Sequence, residues 1–396
     1  MTSEPTTDWP KIVILFGAGI VGSMQFAKLS PIMVDVARDL ALSPVMAGLS
    51  VSILGLVGVL FAITVGVIAS VVGLAKSLRL AMFFGASVAL LGAFAPEAYS
   101  FLSLRFLEGV SHLFIVVCAP ALMGASASTI DRPIALAMWG CFFGTGYALT
   151  SLAAPFVVGH ESWVRLLIAH SVVMFVMAGL VAFVTRHAQN ATVSISVANI
   201  AKQHLDVFRS GAPLLLALTF FAYTVQFLAV LTFLHLYMSK IWLWPESKIG
   251  FALFMAPLWS LLFTLGAGWL VRGGVGIASG YAATFATLAL SSAVVFLNSE
   301  SAPFIYVAVA VMFACFGLLP GLTFANMTAV ARTPQQVAIG FSAIALFGNL
   351  GTFLGTPLLA RMEAQGGWSA VVVTLIVLSL LGIIFALALD RAVRKT

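Results

Sequence analysis

Apolar residues in this chain run in blocks too long for a soluble core. Twelve such blocks lie between residues 11 and 389, each bounded by a short polar, glycine- or proline-bearing break. A helix needs ~20 residues to cross the bilayer, a barrel strand only about 10. In lipid the backbone must satisfy its own hydrogen bonds, so blocks of this length predict helices. The expected helices are 11–34, 45–69, 78–95, 99–128, 134–158, 164–185, 212–238, 247–271, 275–297, 303–330, 335–360 and 368–389.

One long interior segment breaks the series. Residues 186–211 (RHAQNATVSISVANIAKQHLDVFRSG) do not read as a span. They divide the chain into a six-helix bundle at 11–185, a linker at 186–211 with some amphipathic character, and a six-helix bundle at 212–389. The halves echo each other at an offset of 200 residues. Arg132-Pro133 matches Arg332-Thr333-Pro334, and Pro120 matches Pro320. Parallel repeats of this kind build alternating-access transporters.

Charge then sets the orientation. With both termini inside, Lys11, Lys76, Arg79, Arg132, Arg186, Lys202, Arg209, Arg272, Arg332, Arg391, Arg394 and Lys395 fall on the cytoplasmic side. Arg38, Arg165, Lys240, Lys248 and Arg361 fall on the other. That bias follows the positive-inside rule. Only 8% of the chain is charged, against roughly 25% in a soluble domain. The net charge of +6 therefore speaks of loop position and not of nucleic acid. The polar N-terminus and the long first block do not fit a cleaved signal peptide. Cys118, Cys141 and Cys315 sit inside apolar blocks, and no Cys/His cluster has metal-ligand spacing.

A few ionisable residues interrupt the blocks, and these are the candidate functional groups. Lys28 lies 17 residues beyond Lys11, ~26 Å along a helix. It either snorkels to the outer surface or faces a cavity. Gln25 is one turn before it, and Pro31 loosens the helix after it. Arg105, Glu108 and His112 follow at i, i+3 and i+7 on one face of the fourth helix. Arg105 and Glu108 are spaced to pair, either as a structural lock or as a pair that substrate and proton rearrange. Glu108 and His112 are the proton-coupling candidates. Two cations against one carboxylate favour a small anion as substrate. Lys28 and Arg105 are both candidate ligands for it, and Lys28 and Arg105 are both candidate partners of Glu108.

Specific residues resemble the major facilitator superfamily. The loop after the second helix, GVIASVVGLAKSLR, resembles the superfamily's Gly-rich motif through Gly66, Gly73, Lys76 and Arg79. Ser70 stands where that motif has an Asp. RFLEG, from Arg105 to Gly109, resembles its Arg-x-x-x-Gly signature. Gly140, Gly144, Gly146 and Pro155 overlap its helix 5 pattern without the full spacing. The resemblance implies an all-α integral membrane protein of twelve helices, in the neighbourhood of organic-anion or cyanate-transporter-like branches. It implies helices 1, 4, 7 and 10 around a cavity, with Tyr223, Gln226 and Asn326 as neutral ligands. It implies gating by Gly66, Gly73, Lys76, Arg79, Arg132 and Arg332. The expected protein is a monomeric, multi-pass symporter of a bacterial inner membrane, and not an enzyme. It would move a small organic anion, a carboxylate first, with protons; the alternative is proton-driven efflux of a drug-like amphiphile. No cofactor and no nucleic acid enters this reading, and the lipid bilayer is its surroundings.

Overall fold

A computed structural model describes residues 6–158, 162–186, 208–298, 303–331 and 334–394. The expected linker and Arg332 lie largely or wholly outside these residues. Every regular element among the described residues is helical.

Helix α1 spans Trp9–Ala27, capped by Asp8, whose carboxylate accepts from the Lys11 amide at 3.1 Å. The sequence predicts one helix over 11–34, but α1 stops one residue before Lys28. A 3-10 turn follows at Ser30–Ile32, then α2 at Met33–Asp39. Pro31 is the reason: it has no N–H to give and its ring crowds the carbonyl four residues back. The break falls beside Lys28.

Helix α3 spans Pro44–Val72 and α4 spans Leu74–Gly92. Gly73 joins them at φ 92°, a conformation that favours glycine. Helix α5 spans Ala98–Ala125 and opens with a capping box between Glu97 and Ser100. The expected helix over 134–158 is two pieces, α6 at Arg132–Trp139 and α7 at Phe142–Val158, bent by 41°. Helix α8 spans Val164–Val184.

The later helices are α9 (Ala212–Lys240), α10 (Glu246–Arg272), α11 (Ile277–Phe296), α12 (Pro303–Ala325), α13 (Met327–Val330) and α14 (Pro334–Arg394). The backbone of α14 leaves helical geometry at Gly366 and Gly367. Among the described residues ten helices are long and apolar enough to cross a membrane, or eleven with α6 and α7 as one bent span. The 56-residue stretch within α14 counts as one of these. At 1.5 Å per residue it would run ~84 Å, far beyond a bilayer core of ~30 Å. The glycine pair divides it into two runs, each long enough to cross once.

The chain forms two compact units. One comprises Met1–Asp131, Phe142–Asp206 and Val337–Leu346; the other comprises Arg132–Cys141, Val207–Gln336 and Phe347–Thr396. In the first unit α5 packs against α1, α3 and α4, and α1 packs against α5, α7 and α8. Gly109 lets α5 approach the α3 backbone, since a Cβ there would stand 3.0 Å from Leu54 Cα. Residues of α2 and its neighbours, Leu29, Ile32, Val36, Phe101, Trp163 and Leu166, form a buried apolar cluster. In the second unit α6 packs on α10 and α12. Small residues permit this: a Cβ on Gly268 would sit 2.8 Å from Ile134 Cα.

Candidate functional site

The first unit holds a buried ionic cluster. Lys28 is the C-cap of α1 and is fully buried. Its Nζ donates to Glu108 Oε1 at 2.6 Å. On the same carboxylate, Arg105 Nη1 donates to Oε2. Lys28 and Arg105 both pair with Glu108, so the two readings of the sequence hold together. The outward-snorkelling reading of Lys28 is corrected. Lys28 is buried, and the Glu108 carboxylate compensates its amine there.

Arg105 reaches a third element. Its Nε donates to the Ser50 carbonyl of α3 at 3.0 Å. Ser50 and Leu54 are one turn apart on α3, as Arg105 and Gly109 are on α5. The Arg-x-x-x-Gly spacing thus has a local cause: the glycine brings two backbones together and the arginine bonds across them. Arg105 Nη2 is buried with no hydrogen-bond partner. Tyr147 of α7 lies within electrostatic reach of Arg105.

Gln25, one turn before Lys28, donates from Nε2 to Ser111 Oγ at 3.4 Å, and Ser111 donates to the Ala81 carbonyl of α4. Gln25 Oε1 is a second buried polar atom without a partner. His112 is buried at the edge of the cluster. Its Nδ1 lies 3.0 Å from the Gly22 carbonyl, and its ring meets Phe26 edge-on at 4.9 Å. Spacing along α5 places His112 correctly, but no ion pair joins it to Glu108.

Two residues, His170 and Tyr147, were not anticipated. His170 of α8 is buried, with Nδ1 3.3 Å from Lys28 Nζ and Nε2 3.1 Å from the Val21 carbonyl. Nothing local in α8 marks it out. The usable signal was only that a histidine interrupts an apolar span. Tyr147 was missed for the same reason.

The remaining expected ligands belong to the second unit. Tyr223 of α9 is buried and stacks on Phe227 at 5.5 Å. Gln226 donates to the Ala222 carbonyl at 2.8 Å and accepts from Ser379 Oγ at 3.2 Å. Asn326, between α12 and α13, donates to the Leu322 carbonyl at 2.9 Å. Of the expected gate, Gly66 lies in α3 and Gly73 is the α3–α4 turn. Lys76 is exposed, and Arg79 Nε bonds back to the Ala75 carbonyl at 3.3 Å. Ser70, in place of the motif's Asp, donates to its own helix at the Val67 carbonyl, 2.7 Å away. Arg132 opens α6 and keeps a buried Nε without a partner.

At the end of α2 a surface cluster closes the loop. Arg38 pairs with Asp35 at 2.9 Å and Asp39 at 3.0 Å. Asp39 Oδ2 accepts from Trp163 Nε1 at 2.9 Å. That hydrogen bond first, and Arg38 second, hold the Asp39 carboxyl below the usual range.

Comparison with known proteins places this architecture. No curated protein matches the sequence. Among solved structures, the human organic anion transporter MFSD10 (TETRAN) superposes with a TM-score of 0.70 at 16% identity, over 95% of this chain and 98% of that one. FucP, a major facilitator superfamily transporter in the outward conformation, gives 0.75 at 14%, over 96% and 97%. The proton:xylose symporter XylE, bound to 6-bromo-6-deoxy-D-glucose, gives 0.75 at 12%, over 96% and 94%. At these identities the likeness is one of fold. The family model described as Major Facilitator Superfamily matches residues 15–333, most of the 396-residue chain. This multi-pass membrane protein belongs to the major facilitator superfamily.

Proposed function

We propose that the protein is a secondary active transporter that moves a small organic anion, a carboxylate first, by proton-coupled alternating access. One observation carries this reading. Lys28, Arg105 and Glu108 are buried together, two cations on one carboxylate. With Lys28 protonated and the histidines neutral, the cluster carries a surplus of one positive charge. A bare charge in a low-dielectric interior is costly, so the cluster favours an incoming anion. Arg105 Nη2 has no protein partner and supplies an open donor of the planar fork that suits a carboxylate.

In this reading the anion competes with Glu108 for Arg105 and Lys28, and Gln25 presents its open Oε1 nearby. The coupling proton is exchanged within this cluster, where Glu108 and His112 are the residues the spacing suggests. Tyr223, Gln226 and Asn326 are the neutral contribution of the second half. The halves 11–185 and 212–389, joined by 186–211, alternate access. Gly66, Gly73, Lys76, Arg79, Arg132 and Arg332 serve the cytoplasmic gate. The protein is a monomer of a bacterial inner membrane with both termini cytoplasmic. MFSD10 is described as an organic anion transporter and XylE as a proton symporter, so this fold is compatible with both parts of the reading.

Thermal stabilisation of the purified protein tests it against carboxylates, sulfonates, cyanate and cationic drugs. Stabilisation by carboxylates that is lost in R105Q and K28Q is expected. Stabilisation by cationic drugs alone would replace this reading with efflux of an amphiphile.

A further inference from the structure

We propose that Lys28 carries the coupling proton and that His170 is the positioning residue that holds its amine in both protonation states. This rests on the anion-transporter reading above and moves the proton within it from Glu108 and His112 to Lys28.

The tautomer of His170 follows from its partners. Nε2 faces the Val21 carbonyl at 3.1 Å, and a carbonyl can only accept. Nε2 therefore carries the hydrogen, and Nδ1 presents a lone pair to Lys28 Nζ at 3.3 Å. Lys28 thus has two acceptors, His170 Nδ1 and Glu108 Oε1. An ammonium has three N–H bonds and a neutral amine has two. Both contacts survive loss of a proton, and the third N–H is the one free to leave.

Charge counting selects Lys28 from the groups around it. Helix α5 brings Arg105, Glu108 and His112; α8 brings His170; α7 brings Tyr147. Helix α3 contributes the Ser50 carbonyl. Helix α4 contributes no charge to the cluster: Lys76 is exposed and Arg79 bonds within its own helix. Arginine does not release its proton in proteins. Protonating Glu108, His112 or His170 adds to a positive surplus that already exists. Ionising Tyr147 would create a further buried ion. Deprotonating Lys28 removes one, leaving the Arg105–Glu108 pair electrically balanced.

The transport cycle then balances. The empty site holds neutral Lys28 with the Arg105–Glu108 pair, and its charge sums to zero. A monovalent anion and one proton from water enter together, the proton re-forming the third N–H of Lys28. The loaded site also sums to zero. On the releasing side the anion departs, and that N–H bond breaks to return the proton to water. One proton accompanies each monovalent anion, and neither form crosses with a net charge on the cluster.

Nitrogen NMR of the [15Nζ]lysine-labelled protein in nanodiscs tests this, with chloride as the sole small anion. The Lys28 signal, assigned by its loss in K28R, switches reversibly between ammonium and amine within the pH range where the protein stays folded. H170N, whose amide oxygen can replace the Nδ1 acceptor, keeps that switch close to wild type. H170L moves it by a pH unit or more, a tenfold change in proton affinity. A Lys28 that stays an ammonium throughout, or that titrates alike in H170L and wild type, overturns the proposal. In proteoliposomes, radiolabelled L-lactate, pyruvate, benzoate and cyanate test the underlying reading separately. If wild type exchanges none of them, the anion reading fails while the NMR result stands. Exchange that K28R retains should not respond to a pH gradient, and a K28R that still accumulates anion down that gradient contradicts the assignment.

Discussion

Replacing Glu108 by glutamine isolates the electrostatics of the cluster, because the shape is kept and the charge is lost. Lys28 Nζ is 2.6 Å from the carboxylate and Arg105 also bonds to it. At an effective dielectric of 20, the attraction at 2.6 Å is about 6 kcal/mol before desolvation. Removing one partner of a buried pair usually costs ~3–5 kcal/mol, since the other charge is left uncompensated. Below the pH at which Lys28 releases its proton, two cations lose one counter-ion, so E108Q belongs at the upper end of that range. Such a loss lowers Tm by roughly 4–6 °C in a chain of this size. Thermal unfolding in detergent reads it. K28M removes one of the stranded cations, so K28M/E108Q should recover about half of the loss, with a coupling energy on the order of 2 kcal/mol. An E108Q protein within about 1 °C of wild type, or strictly additive effects in the cycle, would refute the argument. Either result would mean that Lys28 and Arg105 do not depend on this carboxylate.

Three further perturbations follow from the geometry. R105K keeps a charge but loses the planar fork whose separate nitrogens reach the Ser50 carbonyl, Glu108 and an incoming carboxylate; carboxylate affinity should fall about tenfold, ~1.4 kcal/mol, measured by ligand-induced shifts in Tm. G85A places a methyl 2.5 Å from Met174 Cε and 2.9 Å from Gln25 Nε2, and should cost roughly 1–3 kcal/mol by overpacking. Gly179, on α8 with nothing within 4 Å of an added Cβ, is the control, and G179A should leave Tm unchanged or slightly raised. For Asp39 the folded carboxyl lies below its usual range, so its stabilisation is present above the unfolded pKa of ~3.9 and lost as pH falls through the folded value. Wild type should therefore exceed D39N in Tm near neutrality, and the gap should close as the pH is lowered below about 4; a gap independent of pH would count against the Trp163 hydrogen bond as its cause.

Helix placement was legible because lipid imposes one rule on every span. Between α3 and α12 most expected ends lie within a few residues of those observed. The exceptions share a cause. At Lys28–Ile32 and at Gly140–Cys141 the α-helical hydrogen bonding breaks inside an apolar run, where hydropathy stays high. Pro31 announced the first of these by its chemistry. The second depends on packing: a Cβ on Gly140 would stand 3.1 Å from Gly321 N. The break at Gly366–Gly367 falls in the expected gap between 360 and 368, which Arg361, Glu363 and Gln365 mark.

The site was legible to the extent that it is local. Arg105 and Glu108 share a helix, so i, i+3 spacing predicted their contact. Lys28 was marked by the cost of burying it, and its partner lies 80 residues away. His170 is 142 residues from Lys28, and no spacing on one helix can reveal a neighbour brought in by another. Its tautomer, and with it the count of N–H bonds left on Lys28, emerges only once α1 and α8 are packed together.

The central claim is that one proton enters with each monovalent anion. Initial uptake of radiolabelled monocarboxylates into proteoliposomes tests it under two driving forces applied separately. An inside-alkaline pH gradient at zero membrane potential should drive accumulation, and a potassium diffusion potential at equal pH should have no effect. Uptake driven by the potential and indifferent to the pH gradient would contradict it.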